Sequence, residues 1–285
     1  MKRSWHVHAL LFILTVCSTY YAGIRGFSPY FGSSRGLVYS FAVMAILLSH
    51  EMGHYLTSRK YGVPATLPYF IPFPLSPFGT LGAVIRMSGV IRDKKTLFDI
   101  GIAGPLCGFI LAVPCVFIGA KLSVPVKIPA TGDALIMGEP LLLKLAEWVM
   151  VGNLPTGFDL LIHPIGYAGW VGLFITALNL LPIGQLDGGH ILYGVFGEKS
   201  RSISRALIPL LVLLAIFYNV GWFVLVVLLL IFGIGHPHPL DAETPLDGKR
   251  RVLAIVMLFV FAVSFVPAPF AGTSLITLIR GLLRA

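Results

Sequence analysis

The sequence predicts an all-α polytopic membrane protein of six to seven transmembrane helices with a small membrane-associated re-entrant β element. Three observations carry that expectation. First, 56% of the 285 residues are hydrophobic and only 12% are charged, and the mean hydropathy is +0.88. Soluble domains run near 45–50% apolar and about 25% charged, so one water-facing core cannot hide this much apolar surface. Second, the basic residues that give a formal net charge of +9 fall in short clusters between apolar runs, as they do in cytoplasmic loops. Third, one strongly apolar stretch is barred from helix by its prolines.

Windows of about 20 apolar residues place candidate spans at 6–23, 37–57, 96–120, 160–182, 204–219, 221–235 and 252–270. The first follows Lys2 and Arg3 and resembles the front of a signal peptide, with a faint lipobox ending at Cys17. Val16 suits a lipidated cysteine poorly, and Tyr20 and Tyr21 suit an interface belt, so the expectation is an uncleaved first helix. With the N-terminus in the cytoplasm and sides alternating, the cytoplasmic segments collect Arg59, Lys60, Arg92, Lys94, Lys95, Lys199, Arg201, Arg205, Lys249, Arg250 and Arg251. The opposite side holds Arg25, Arg35, Lys121, Lys127 and Lys144, with Arg280 and Arg284 on the tail. This asymmetry supports the span count and the orientation together. Spans five and six meet at Tyr218-Asn219-Val220-Gly221 and form a tight helical hairpin.

Residues 67–77 carry Pro68, Pro72, Pro74 and Pro77 among Phe, Tyr and Ile, which excludes a regular helix; residues 80–87 then read as a strand. Non-helical backbone at membrane depth persists only where it is buried in protein or lines a cavity. Residues 140–150 read as a short amphipathic surface helix. No repeat or soluble insertion appears, so residues 1–285 are expected to form a single membrane domain. The three cysteines, Cys17, Cys107 and Cys115, sit in apolar runs with no Cys-x-x-Cys pair and read as small buried hydrophobes. Nucleic-acid binding is excluded, because no basic stripe forms on a polar domain.

The chemistry sits in His50-Glu51-Met52-Gly53-His54 within the second span. Positions i and i+4 share a helix face, so both imidazoles can ligate one Zn²⁺. Glu51 points in an adjacent direction, suited to a general base that meets a metal-held water without ligating the ion. Two histidines and a glutamate inside an apolar helix are costly unless paired or metal-bound. A catalytic zinc site needs a third protein ligand and leaves one position for water. The fourth span ends in Asn179-Leu180-Leu181-Pro182, and Asp187 follows, flanked by Gly188 and Gly189. In isolation Asp187 reads as a turn residue; in the topology above it and His54 both lie toward the cytoplasmic ends of their spans and can meet at similar depth. His190 lies within reach and reads as a neighbour of the site, because a fourth ligand would close the metal to water. His236 and His238, between prolines, suggest a rigid loop, and His6, His8 and His163 show no partner in the sequence.

Together, the His50–Glu51–His54 motif, Asn179-x-x-Pro182 with Asp187-Gly188, and Ala103-Gly104-Pro105 resemble the site-2 protease family of intramembrane zinc metalloproteases. The resemblance implies His50, His54 and Asp187 as ligands of one zinc per chain, Glu51 as catalytic base and Asn179 near the reacting carbonyl. It implies transmembrane protein substrates, a location in the cell membrane and an active site toward the cytoplasmic side. The sequence lacks a recognisable PDZ or CBS domain and so resembles PDZ-free plant and bacterial members. A polytopic metal transporter and a non-catalytic scaffold are the rival classes; a Glu immediately after a ligand and the lack of inverted repeats oppose the first, and an intact base opposes the second.

Overall fold

The computed structural model describes residues 5–89, 91–127, 137–232, 239–241 and 243–283. Among them the chain order is α1 (Trp5–Gly26), α2 (Arg35–Lys60), β1 (Tyr69–Pro72), β2 (Thr80–Val84), α3 (Lys94–Leu122), β3 (Val124–Lys127), α4 (Leu141–Met150), β4 (Phe158–Leu161), α5 (Pro164–Asn179), α6 (Asp187–Phe196), α7 (Lys199–Phe217), α8 (Gly221–Phe232), α9 (Gly248–Ser264) and α10 (Leu275–Leu282). The protein is mostly helical with two small antiparallel sheets. Four helices, α1, α2, α3 and α7, are long and apolar enough to cross a membrane, and α8 is apolar but shorter.

Each of the seven expected spans contains a helix, but α5 and α9 are shorter than their windows. Residues 158–161 go into β4 rather than helix, and α5 starts at Pro164, where a proline loses no helical hydrogen bond. It stops at Asn179, three residues before Pro182. The α9 helix starts early because Asp247 caps it, accepting from the Arg250 amide at 3.1 Å, and it ends before Pro267. Residues 233–235 of the sixth window lie outside the described residues.

The chain folds as two compact units. The first comprises Met1–Val90, Ala103–Ile128 and Leu141–Thr176. Small residues set its helix contacts, as expected where packing rather than hydrophobicity drives association. Gly23 of α1 meets Gly36 of α2 so closely that a β-carbon on Gly23 would stand 2.8 Å from the Gly36 Cα. Beside it the hydroxyls of Thr19 and Ser40 lie 2.7 Å apart. Gly119 of α3 meets Gly166 of α5 in the same manner, and Gly169 and Gly172 continue that stripe against Val116 and Ala112. Strands β1 and β2 pair antiparallel with Tyr69 opposite Val84 and Phe70 opposite Ala83, and the register shifts before Pro72, which has no N–H to give the ladder. The amphipathic α4 buries Leu143 and Ala146 and exposes Leu141 and Trp148.

The second unit comprises Ile91–Ile102, Pro129–Pro140 and Ala177–Ala285. Its apolar centre holds Leu181, Ile183, Leu211, Ala215, Trp222, Val226 and Leu229. The α7–α8 hairpin forms as expected, and Asn219 fastens its turn by accepting from the Gly221 amide at 2.8 Å and donating to Thr273 at 2.6 Å. Arg250 at the start of α9 forms a two-pronged pair with Asp99 of α3, at 2.8 and 2.6 Å, and also contacts Asp247. The Asp99 carboxylate, as the largest influence, holds the guanidinium still more firmly in its charged form.

Candidate metal centre

The His50–Glu51–His54 motif lies near the C-terminal end of α2, on the face turned inward. His50, Glu51 and His54 are only 4%, 6% and 7% exposed, in a helix whose opposite face shows Phe41 and Leu56. The four-residue spacing brings the two imidazoles together at a ring-centroid separation of 4.9 Å. Their Nε2 atoms stand 3.2 Å apart. Two nitrogens bound to one tetrahedral zinc at 2.0–2.1 Å would be separated by about 3.3 Å. The pair therefore fits a shared ion. Without one, two lone pairs at this distance repel unless a ring carries its proton on Nε2.

Glycine makes room for this pair. A β-carbon at Gly104 would stand 2.0 Å from His54 Nε2, and one at Gly108 would stand 3.2 Å from His50 Cβ. Gly53, between the two histidines, lies so close to α3 that a β-carbon there would come 2.4 Å from the Ala103 carbonyl oxygen. Both imidazoles thus rest on a glycine face of α3, and the Ser49 hydroxyl donates to the Cys107 carbonyl beside them at 3.2 Å. The supporting role of Gly104 and Gly108 was not read from the sequence. The available signal was Gly104-x-x-x-Gly108 in an apolar helix, a pattern that marks close helix approach.

Asp187 is the first residue of α6 and is half-buried. The turn before it is built for close backbone passage: Gly184 has φ +59°, and β-carbons on Gly188 and Gly189 would come 2.1 Å from the Leu180 and 2.2 Å from the Gly184 carbonyl oxygens. Ser204 Oγ donates to the Pro182 carbonyl at 3.0 Å, fixing the turn. Asn179 is half-buried at the end of α5. In the first unit His50 and His54 bring their imidazoles together, and in the second unit Asp187 offers its carboxylate at the start of α6. His190 rests on α3, where a β-carbon at Gly101 would lie 2.8 Å from its Cβ.

The remaining histidines divide. His8 Nδ1 lies 3.1 Å from the Pro68 carbonyl oxygen, and His163 Nδ1 accepts from the Ile165 amide at 3.2 Å, so both have partners that the sequence did not reveal. His236 and His238 lie outside the described residues.

Residues 38–228 match Peptidase family M50, a span that contains the α2 motif, the Gly104 face and Asp187. The chain belongs to this family, the site-2 proteases. Among curated proteins, this M50 member is 32% identical over 241 residues to the chloroplastic protein of Arabidopsis thaliana named as probable zinc metalloprotease EGY2, covering 84% of this chain and 43% of the relative. It is 39% identical over 169 residues to the rice (Oryza sativa subsp. japonica) protein named as probable zinc metalloprotease EGY1, covering 56% of this chain and 28% of that protein. The Arabidopsis EGY1 protein is 35% identical over 179 residues, 60% of this chain and 31% of its own length. The chain therefore spans less than half the length of these relatives. Family M50 implies zinc, and the two convergent imidazole nitrogens supply the donor type and spacing that zinc takes.

Proposed function

We propose that this family M50 chain is an intramembrane zinc metalloprotease that hydrolyses peptide bonds of membrane-protein substrates within or near the bilayer. One zinc per chain is held by His50, His54 and Asp187. The observation that carries the reading is the buried His50–Glu51–His54 set in an apolar helix long enough to cross a membrane. Buried ionisable groups at such depth mark functional sites.

Zinc bound by these ligands would polarise the scissile carbonyl and make water a stronger acid. Glu51 accepts a proton from the attacking water and delivers it to the leaving amide nitrogen, a role worth about 10²–10⁴ in rate. The Asn179 side-chain amide donates to the oxyanion that develops on the carbonyl. A substrate helix hides its peptide bonds in its own hydrogen bonds and must unwind locally; β2 receives the unwound segment by strand addition. In this reading the whole chain is one proteolytic domain with six to seven membrane crossings. It lies in the cell membrane with the site toward the cytoplasm, as the basic clusters at Lys94–Lys95 and at 249–251 support.

Glu51→Gln tests the mechanism. Glutamine keeps the size and hydrogen bonding of glutamate but takes up no proton at neutral pH. Cleavage of a reconstituted single-span substrate should fall by about two to four orders of magnitude, with zinc content near one per chain. Near wild-type cleavage would refute the mechanism; altered metal flux without any change in membrane peptides would favour a transporter. Asp187→Ala tests the third ligand: purified protein should lose most of its zinc yet still insert, and full zinc occupancy would remove Asp187 from the set.

A further inference from the structure

Residues 73–79 join β1 to β2 and form the tip of that hairpin. Their side chains are largely exposed, with Leu75 at 82% and Phe73 at 37%. Their backbone is not loose. Three successive carbonyls each accept a hydroxyl donor, and each donor comes from a different helix. The Tyr167 hydroxyl of α5 donates to Pro77 at 3.4 Å, the Tyr39 hydroxyl of α2 to Phe78 at 2.8 Å, and Ser18 Oγ of α1 to Gly79 at 2.5 Å.

The surroundings hold the same three residues. Gly79 has φ +74°, and a β-carbon there would come 2.6 Å from the Thr19 Cα, so the tip lies against the α1 backbone where only glycine fits. The Phe78 ring meets Trp170 and Phe174 at centroid distances of 6.1 and 5.9 Å. Tyr39 and Trp170 are fully buried, and Tyr167 stacks on Trp170. Thr80 continues the fastening into the hairpin by donating to the Ile71 carbonyl at 2.9 Å. Beyond this point β2 presents Leu81 and Val84, 61% and 52% exposed, and its sheet has only two strands, which leaves one edge of β2 unpaired within it.

Satisfying one carbonyl away from water is ordinary economy of polar groups. Hydroxyls from three helices on three consecutive carbonyls over-determine the position of a short tip. They make the hairpin a fixed platform rather than a swinging lid. We propose that Tyr39 and Tyr167, aided by Ser18, are positioning residues for substrate: their hydroxyls hold the Pro77–Phe78–Gly79 tip so that the β2 edge stands ready to receive an extended segment of substrate. This rests on the protease reading above. It adds that affinity for the unwound substrate depends on two phenol hydroxyls that make no contact with the metal ligands in the proposed chemistry.

The test uses the full chain in detergent or vesicles, with Tyr39→Phe, Tyr167→Phe and the double variant, which keep the rings and remove only the hydroxyls. Zinc content and helical circular dichroism should stay at wild-type levels. KM for a single-span substrate should rise about tenfold in the double variant while kcat changes less than twofold, since each net hydrogen bond lost is worth a few-fold in an equilibrium. A purely structural role for the rings predicts no change in KM, and Tyr39→Ala supplies the contrast by removing ring and hydroxyl together. A second arm needs no cleavage. In a Glu51→Gln chain with Cys17, Cys107 and Cys115 replaced, Leu81→Cys should form a disulfide with a cysteine near the scissile bond of the substrate when a mild thiol oxidant such as copper–phenanthroline is added. Adding the two Phe substitutions should reduce that cross-link about tenfold. Unchanged KM and an unchanged cross-link would overturn the proposal. If the double variant loses zinc or helix, Tyr167→Phe alone, with the longer hydrogen bond, decides by the same two measurements. A wild-type chain that cuts no substrate at all defeats the protease reading instead, and the cross-link then reports on the platform separately.

Discussion

The α1–α2 and α2–α3 contacts of the first unit use the same material for different ends. Both are helix pairs in which glycine brings backbones close and a polar group sits at the crossing. At α1–α2 the space made by Gly23 and Gly36 is filled by backbone, and the polar groups are the hydroxyls of Thr19 and Ser40, which satisfy each other at 2.7 Å. Ser40 also reaches the Val16 carbonyl at 3.1 Å. At α2–α3 the space over Gly104 and Gly108 is filled by two imidazole rings, whose Nε2 atoms stand 3.2 Å apart. The first contact is complete in itself. The second sets two donor nitrogens at a spacing that suits a shared metal ion, and the difference shows how one packing device can serve stability in one place and chemistry in another.

The sharpest way to break the comparison is Gly104→Ala. Its β-carbon would fall where His54 Nε2 lies, so the ring must move and a ligand is lost from position. Zinc affinity should fall about 10- to 100-fold, in the range seen when groups supporting a ligand are disturbed. Competition with a chromogenic chelator measures this, and zinc binding at wild-type strength would mean that the His54 ring does not depend on the glycine face. Gly36→Ala should act in the opposite sense. The new β-carbon would meet the Tyr20 carbonyl oxygen and Ile24 at 2.8 Å, so overpacking should cost about 1–3 kcal/mol of stability, read by denaturant titration in mixed micelles, with zinc content unchanged. Loss of zinc there would mean that the two contacts are coupled. The smallest effect belongs to Thr19→Val, which removes one interhelical hydroxyl pair and should cost about 0.6 kcal/mol in the same titration, with no detectable change in metal binding or cleavage.

Helix positions were legible because long apolar runs admit few other structures, and the prolines of 67–77 marked the departure from helix. The strand expected over 80–87 appears as Thr80–Val84, with Met87 paired singly to Ala65. Less visible were elements whose cause is distant in sequence. The β3–β4 pair consists of four-residue strands more than 30 residues apart, too short to show an alternation. The α6 helix was hidden because Asp187 read as the place where a helix breaks, whereas it opens a new helix after the tight Gly184 turn. At the site, His50, Glu51 and His54 declare themselves by spacing alone. The need for Gly104 does not, because a glycine's neighbour across a helix contact is a fact of the fold. The hydroxyls that meet Pro77, Phe78 and Gly79 lie from 39 to 90 residues away from them, and no local pattern joins such partners.

Arg250 carries a consequence for how the finished protein meets its membrane. It belongs to the basic run at residues 249–251, and while the chain is being inserted all three charges act on its orientation. Once α9 forms, both prongs of the guanidinium lie on Asp99 and a further contact reaches Asp247. Two carboxylates then surround one cation, and its charge is offset where it lies. An anionic lipid arriving at the mature surface meets Lys249 and Arg251 as its attractive charges. The code that orients the nascent chain and the charge pattern that the folded protein shows to lipid headgroups are therefore not the same.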